Sequence, residues 1–151
     1  MVVRVKVQVK KDNAVIETSA IANSGYETDV PEIHIPLALA RELSFDLRGL
    51  TSTRYRVVGG FTNTLMVGEV LVRLVTEDKV TSWINAKAVS VLEEYEVLLS
   101  DKLLDALGIE IALVSLLHGS VFTVIVMGEM KATLLTLIML FKQRVSIHHV
   151  N

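Results

Sequence analysis

Val3, Val5, Val7 and Val9 alternate with Arg4, Lys6, Gln8 and Lys10, a period of two that gives a strand one apolar and one solvated face. Lys11-Asp12-Asn13 is a polar turn, and Ala14 to Ala22 reads as the return strand of a hairpin that delivers the chain to Asn23-Ser24-Gly25. Pro36 suits a first helical position, and Leu37 to Leu43 has helical spacing and good helix formers. Gly59-Gly60 lies between alternating residues from Arg56 to Asn63, the pattern of a tight hairpin. Leu65 to Thr76 and Val80 to Val91 read as two long strands joined by Glu77-Asp78-Lys79. An apolar strand from Val97 runs into a helix, Asp101 to Leu107, with Ser100 as N-cap, Asp101 at the positive end of the dipole and Gly108 as stop. The pattern predicts a mainly β domain with one or two short helices.

Beyond Glu110 the pattern changes. Ile111 to Met127 holds seventeen residues without Asp, Glu, Lys or Arg, and Ala132 to Phe141 is a second uncharged run. β-branched residues and the breakers Gly119 and Gly128 fit two more strands in the first run, and Met130 to Leu140 fits a helix. Residues 111–151 are therefore read as an apolar C-terminal extension to a domain of residues 1–110. Three readings stay open for it: a strand and helix covering the barrel, a segment touching a membrane, or a stretch foreign to the fold. Spanning is disfavoured, because seventeen residues interrupted by His118, Gly119 and Ser120 sit at the short limit for about 30 Å of hydrocarbon.

The chain has 151 residues, 51% of them hydrophobic, and a formal net charge of -2. That length suits one domain with a real core. The charge argues against a nucleic-acid partner, which calls for a concentrated excess of Lys and Arg. With no cysteine, disulfides, thiolate metal sites and cysteine nucleophiles are excluded together. Met1 to Lys6 alternates charge with valine, unlike the apolar core of a signal peptide, so the expected compartment is the cytoplasm.

Three segments in order carry the candidate chemistry: Asn23-Ser24-Gly25, Val58-Gly59-Gly60-Phe61, and Val97 through Ser100-Asp101 to Gly108. Together they resemble the retropepsin-like aspartic proteases, in which a strand delivers Asp-Thr/Ser-Gly, a glycine-rich flap hairpin closes over substrate, and a strand runs into a short helix. Ile33 to Leu43 is similar to that family's strand followed by an Ala-Leu helix. The resemblance spans about residues 1–110 and implies a closed β-barrel of the acid-protease type. It departs from the family at Ser100, where glycine is usual, and at Asn23, where the catalytic aspartate is usual.

The resemblance also implies the partners and the chemistry. One triplet per chain implies a homodimer about a two-fold axis, with an extended polypeptide bound in the shared cleft under Val58, Gly59, Gly60 and Phe61. Asn23, Ser24 and Gly25 then occupy the catalytic positions, and no cofactor or metal is called for. Aspartic peptidases use two carboxylates that share a proton; a pair of amides has no proton equilibrium near neutral pH and cannot act as general base. The resemblance thus implies an aspartic-endopeptidase-like protein with impaired catalysis. The rival readings are a non-catalytic peptide-binding or assembly module and a small membrane-associated protein.

Other candidates carry less. Glu27, Asp29 and Glu32 around Pro31 read as a solvated acidic loop; with His34 they offer oxygen and nitrogen to a metal, but without a recognisable spacing. His148-His149 make a poor metal site alone. Ser115, His118 and Ser120 form no nucleophile motif.

Overall fold

The computed structural model describes residues 2–57, 60–77, 79–115 and 121–127. The chain divides into two compact units, Met1–Leu107 and Gly108–Asn151.

The first unit is a closed barrel. Strands β1 (Arg4–Lys11) and β2 (Ala14–Ala22) form the expected hairpin, in register from Arg4↔Ile21 to Lys11↔Ala14. Asp12 takes a positive φ of 51° in its turn, which a short polar side chain tolerates. The remaining strands are β3 (Glu32–His34), β4 (Ser52–Val57), β5 (Gly60–Val75), β6 (Ile84–Val91) and β7 (Val97–Leu99). Their order is β1-β2-β7-β3-β6-β5-β4, and β1 also pairs with β5 from Lys6↔Val75 to Lys10↔Leu71. That second pairing closes β1, β2, β7, β3, β6 and β5 into a ring and leaves β4 outside it. Closure removes the edges that an open sheet would expose.

Apolar residues of period two fill the interior. Val7, Val9, Ala20, Ile33, Val72, Ala88 and Leu99 are fully buried. Two short helices complete the unit, α1 (Leu37–Glu42) and α2 (Asp101–Leu107). Helix α1 ends in a left-handed Ser44 (φ 61°), with Ser44 N–H bonding Arg41 O at 2.9 Å and Phe45 N–H bonding Ala40 O at 3.0 Å. These two bonds satisfy the last carbonyls in the Schellman pattern. Helix α2 stops at Gly108, whose φ of 71° suits glycine.

The two long strands expected from Leu65 and Val80 differ from those observed. Strand β5 starts at Gly60 and runs 16 residues, because the hairpin arm and the barrel strand are continuous. It bends at an irregularity between Met66 and Gly68. There a Cβ on Gly68 would lie 2.7 Å from Cε1 of Phe45, so the ring packs where only glycine leaves room. Strand β6 starts only at Ile84. Val80 makes an isolated bridge to Val75, and the Thr81 hydroxyl accepts the Leu74 N–H at 2.9 Å, replacing a main-chain acceptor and interrupting the ladder.

In the second unit β8 (Ile109–Ser115) and β9 (Val121–Met127) form an antiparallel hairpin from Ile109↔Met127 to Ser115↔Val121. Two strands were the expectation here, and the first begins two residues before Ile111. The helix expected at Met130 to Leu140, and His148-His149, lie outside the described residues. Among the described residues no helix is long and apolar enough to cross a membrane.

Candidate active site

Asn23 is the first residue after β2, and parallel pairing of Ala22 with Leu99 sets it beside Ser100, the first residue after β7. The chain turns sharply there. The Asn23 side-chain Oδ1 accepts the Gly25 N–H at 3.0 Å, and the Tyr26 N–H donates to Asn23 O at 3.1 Å. An asparagine oxygen that mimics a main-chain acceptor two residues on is a standard way to fix such a turn. A Cβ at Gly25 would stand 3.3 Å from that same Oδ1, so the glycine and the asparagine side chain share one tight space. Ser24 is exposed at the tip and Asn23 is half-buried.

The turn is stapled to the start of α2. Asp101 N–H donates to Tyr26 O at 2.9 Å, and Asp101 Oδ1 accepts the Thr28 N–H at 2.9 Å. Partial burial opposes ionisation of Asp101, but the amide bonds from Thr28 and Lys102 outweigh it and hold the carboxyl below the usual carboxylate range. Ser100 does double duty. Its Oγ accepts the Glu32 N–H at 3.0 Å and the Leu103 N–H at 3.3 Å, while its own N–H donates to Glu32 O at 3.0 Å. Ser100 thus caps α2 and ties it to β3.

Glu32 corrects the expectation of a solvated acidic loop. It is 2% exposed, whereas Glu27 and Asp29 are exposed. The Tyr26 phenol donates to one of its oxygens, and the Tyr55 phenol donates to the other at 2.9 Å. Burial and the bond to Glu32 push the Tyr26 phenol far up, and the same two causes push Tyr55 up to about 12. Glu32 is therefore a junction: Tyr26 brings in the Asn23 turn, Ser100 the end of β7, and Tyr55 the strand β4 of the hairpin. Nothing in the sequence pattern singles it out, since Ile33 and Ile35 alternate with Glu32 and His34 as in a half-exposed strand. All three residues of β3 are buried, and the strand is paired along both edges, with β6 and β7.

His34 is likewise taken up by structure. Its Nε2 accepts the Val91 N–H at 2.9 Å, so Nδ1 carries the proton and donates to Glu96 O at 2.9 Å. Burial holds its pKa below the ordinary value. With both ring nitrogens engaged and Glu32 held by phenols, these residues do not converge on a cation. Among the described residues no group of three or more His, Cys, Asp or Glu could hold a metal ion.

Of the residues expected to form a flap, Gly60 opens β5 opposite Val57, and Phe61 is 59% exposed under the Arg54 guanidinium, 4.2 Å from the ring centroid. Val58 and Gly59 lie outside the described residues. Chemically the turn offers an amide and no titratable group at position 23.

No protein-family model and no curated protein matches the sequence. Among solved structures, the crystal structure of a retropepsin-like aspartic protease from Rickettsia conorii is similar over 69% of this chain and 69% of its own, at 18% identity and a TM-score of 0.44.

Proposed function

We propose that this chain is an aspartic-endopeptidase-like protein of the retropepsin type, residues 1–110 forming the protease-like domain and 111–151 an extension. Two copies pair about a two-fold axis, and an extended polypeptide binds in the shared cleft beneath the hairpin tip of Val58, Gly59, Gly60 and Phe61. One observation carries the reading: the Asn23-Ser24-Gly25 turn closes β2 beside Ser100 and is bonded through Tyr26 and Thr28 to the start of α2. The closed six-stranded ring and the projecting β4–β5 hairpin support it. Asn23 faces its twin without an ionisable oxygen, so hydrolysis by the shared-proton mechanism is impaired. The compartment proposed is the cytoplasm.

Purified protein and an Asn23→Asp variant, assayed on unfolded casein from pH 3 to 7 alongside sedimentation analysis, test this. The expected result is a dimer whose cleavage activity appears only in the variant. A strictly monomeric chain, or cleavage by the native protein unaltered in Asn23→Ala, overturns it.

The second reading is a peptide-binding or assembly module with no catalysis at all. The commitment of the Asn23 oxygen to Gly25 favours it, since the side chain already has a structural task. In that case Asn23→Asp stays inactive while the dimer persists.

A further inference from the structure

His34 is 4% exposed, and its two ring nitrogens hold the two ends of one loop. Strand β6 ends at Val91, whose N–H donates to Nε2 at 2.9 Å, and β7 begins just after Glu96, whose carbonyl accepts from Nδ1 at 2.9 Å. Between those ends run Leu92, Glu93, Glu94 and Tyr95. Leu92 is 64% and Tyr95 82% exposed, so neither of these side chains anchors the loop in the barrel.

Main-chain bonds do not fasten it either. Among the described residues the hydrogen bonds of 92–95 stay within the loop and its ends: the Glu94 N–H donates to Val91 O at 3.3 Å, and the Tyr95 and Glu96 N–H groups donate to Glu94 Oε1 at 3.0 and 3.1 Å. Glu93 holds a φ of 66°, a left-handed conformation that costs a residue with a Cβ. The β7 end has a second tie, because the Arg4 guanidinium grips both carboxylate oxygens of Glu96 at 2.7 and 2.9 Å. At the β6 end the loop is held by the imidazole, where the β5–β6 ladder finishes at Thr64↔Val91.

The two imidazole bonds respond oppositely to a proton. Neutral imidazole carries one N–H and one lone pair, whereas imidazolium carries two N–H groups and no acceptor. A proton taken from solvent onto Nε2 sets one donor against the Val91 N–H and ends that bond, a costly arrangement in a buried place. The Nδ1 bond to Glu96 O survives and is strengthened by the charge. Burial opposes that charge and outweighs the groups that favour it, which are the Glu96 carbonyl and the carboxylates of Glu94 in the loop and Glu32 on β3. The Glu96 carboxylate is paired with Arg4, and the residues opposite His34 on β6 and β7, Val89 and Leu98, carry no charge. The Val91 bond is therefore complete above the ordinary histidine value of about 6.5 and is lost as pH falls through the lower folded value.

We propose that His34 is a pH-operated clamp on the loop of residues 92–95: proton uptake at Nε2 releases the loop at its β6 end, while the Nδ1 and Arg4 ties keep the β7 end in place. Near neutral pH the loop is closed. In acid it opens about Glu96, and Glu93 can leave its left-handed conformation. Strand β7 stays paired with β2 and β3, so Ser100 and the Asn23 turn keep their places. The clamp does not depend on the role of Asn23.

The test follows the isotopically labelled full chain by nuclear magnetic resonance from pH 7.5 to 4.5, reading the His34 ring, the amides of Val91 to Glu96, and amide hydrogen exchange corrected for intrinsic rates. The Val91 and loop amides are expected to move with the midpoint of the His34 ring. Protection at Val91 should drop at least about tenfold over that step, while Val7 and Val72 in the barrel keep theirs. His34→Gln supplies an amide that accepts and donates at once without titrating, so its loop signals should stay constant over the same range. Should that variant not fold, the shared midpoint in the native chain still decides. A ring that titrates while Val91 is unmoved, or a loop that opens with another midpoint or opens equally in His34→Gln, overturns the proposal. So does protection lost together at Val7, Val72 and the loop, or a ring still neutral over a closed loop at the acid end of the range.

Discussion

Removing the two phenols that hold Glu32 should cost more than any exposed substitution, and removing the carboxylate as well should restore most of the loss. Glu32 is 2% exposed and receives side-chain bonds from Tyr26 and Tyr55. A net hydrogen bond to a charged group contributes about 1.5–3 kcal/mol. Tyr55 is the more exposed donor, so Tyr55→Phe should cost about 1 kcal/mol and Tyr26→Phe about 2 kcal/mol, the discount following solvent competition at the outer bond. The double variant should lose about 3–4 kcal/mol, because the buried oxygens then lack both donors. That is a large part of the 5–15 kcal/mol by which domains are ordinarily stable. Adding Glu32→Leu removes the stranded carboxylate and should recover at least about half of it, since replacing both sides of a buried polar pair by apolar groups is far milder than orphaning one. Urea unfolding at pH 7, followed by far-ultraviolet circular dichroism with a constant slope, measures the four variants against the parent. A double variant within about 0.5 kcal/mol of the parent, or a triple variant no more stable than the double, would refute the junction.

Two further perturbations address the same barrel. His34 is neutral in the fold with Nε2 accepting from Val91, and burial depresses its pKa; its contribution is therefore complete above the unfolded value of about 6.5 and is lost as pH falls through the lower folded value. Urea midpoints taken from pH 7.5 to 4.5 should fall more steeply in the native protein than in His34→Gln, and parallel profiles would count against the assignment. Gly68→Ala places a methyl 2.7 Å from Phe45 Cε1 and 3.4 Å from Cδ1, an overpacking that should cost about 1–3 kcal/mol. Phe45→Leu in the same chain should reduce that cost, read as a smaller drop in the unfolding midpoint; a Gly68→Ala protein as stable as its parent would show that the ring moves freely.

How much of this was legible follows from the range over which each signal acts. The alternation of Val3 to Val9, the caps at Ser100 and Gly108 and the turn at Asn23 are set by residues a few positions apart, and each appears where the sequence puts it. Barrel closure through β1 and β5 was expected from the family resemblance alone, since no local pattern pairs Lys6 with Val75. The misplaced start of β6 has a local cause that only the partner strand reveals: Thr81 is a good strand residue whose hydroxyl takes the bond that its carbonyl would need. Glu32 is the instructive case. Its neighbours Glu27 and Asp29 are exposed as acids ordinarily are, and only two tyrosines, six and twenty-three residues away, make burial tolerable at position 32. The same long-range bonds hold the Asn23 turn, Ser100 and the β4 hairpin in one fixed arrangement. An Asp placed at position 23 would thus enter a turn already built, with its own oxygen in reach of the Gly25 N–H, and any change in activity would report on the carboxylate rather than on a rebuilt site.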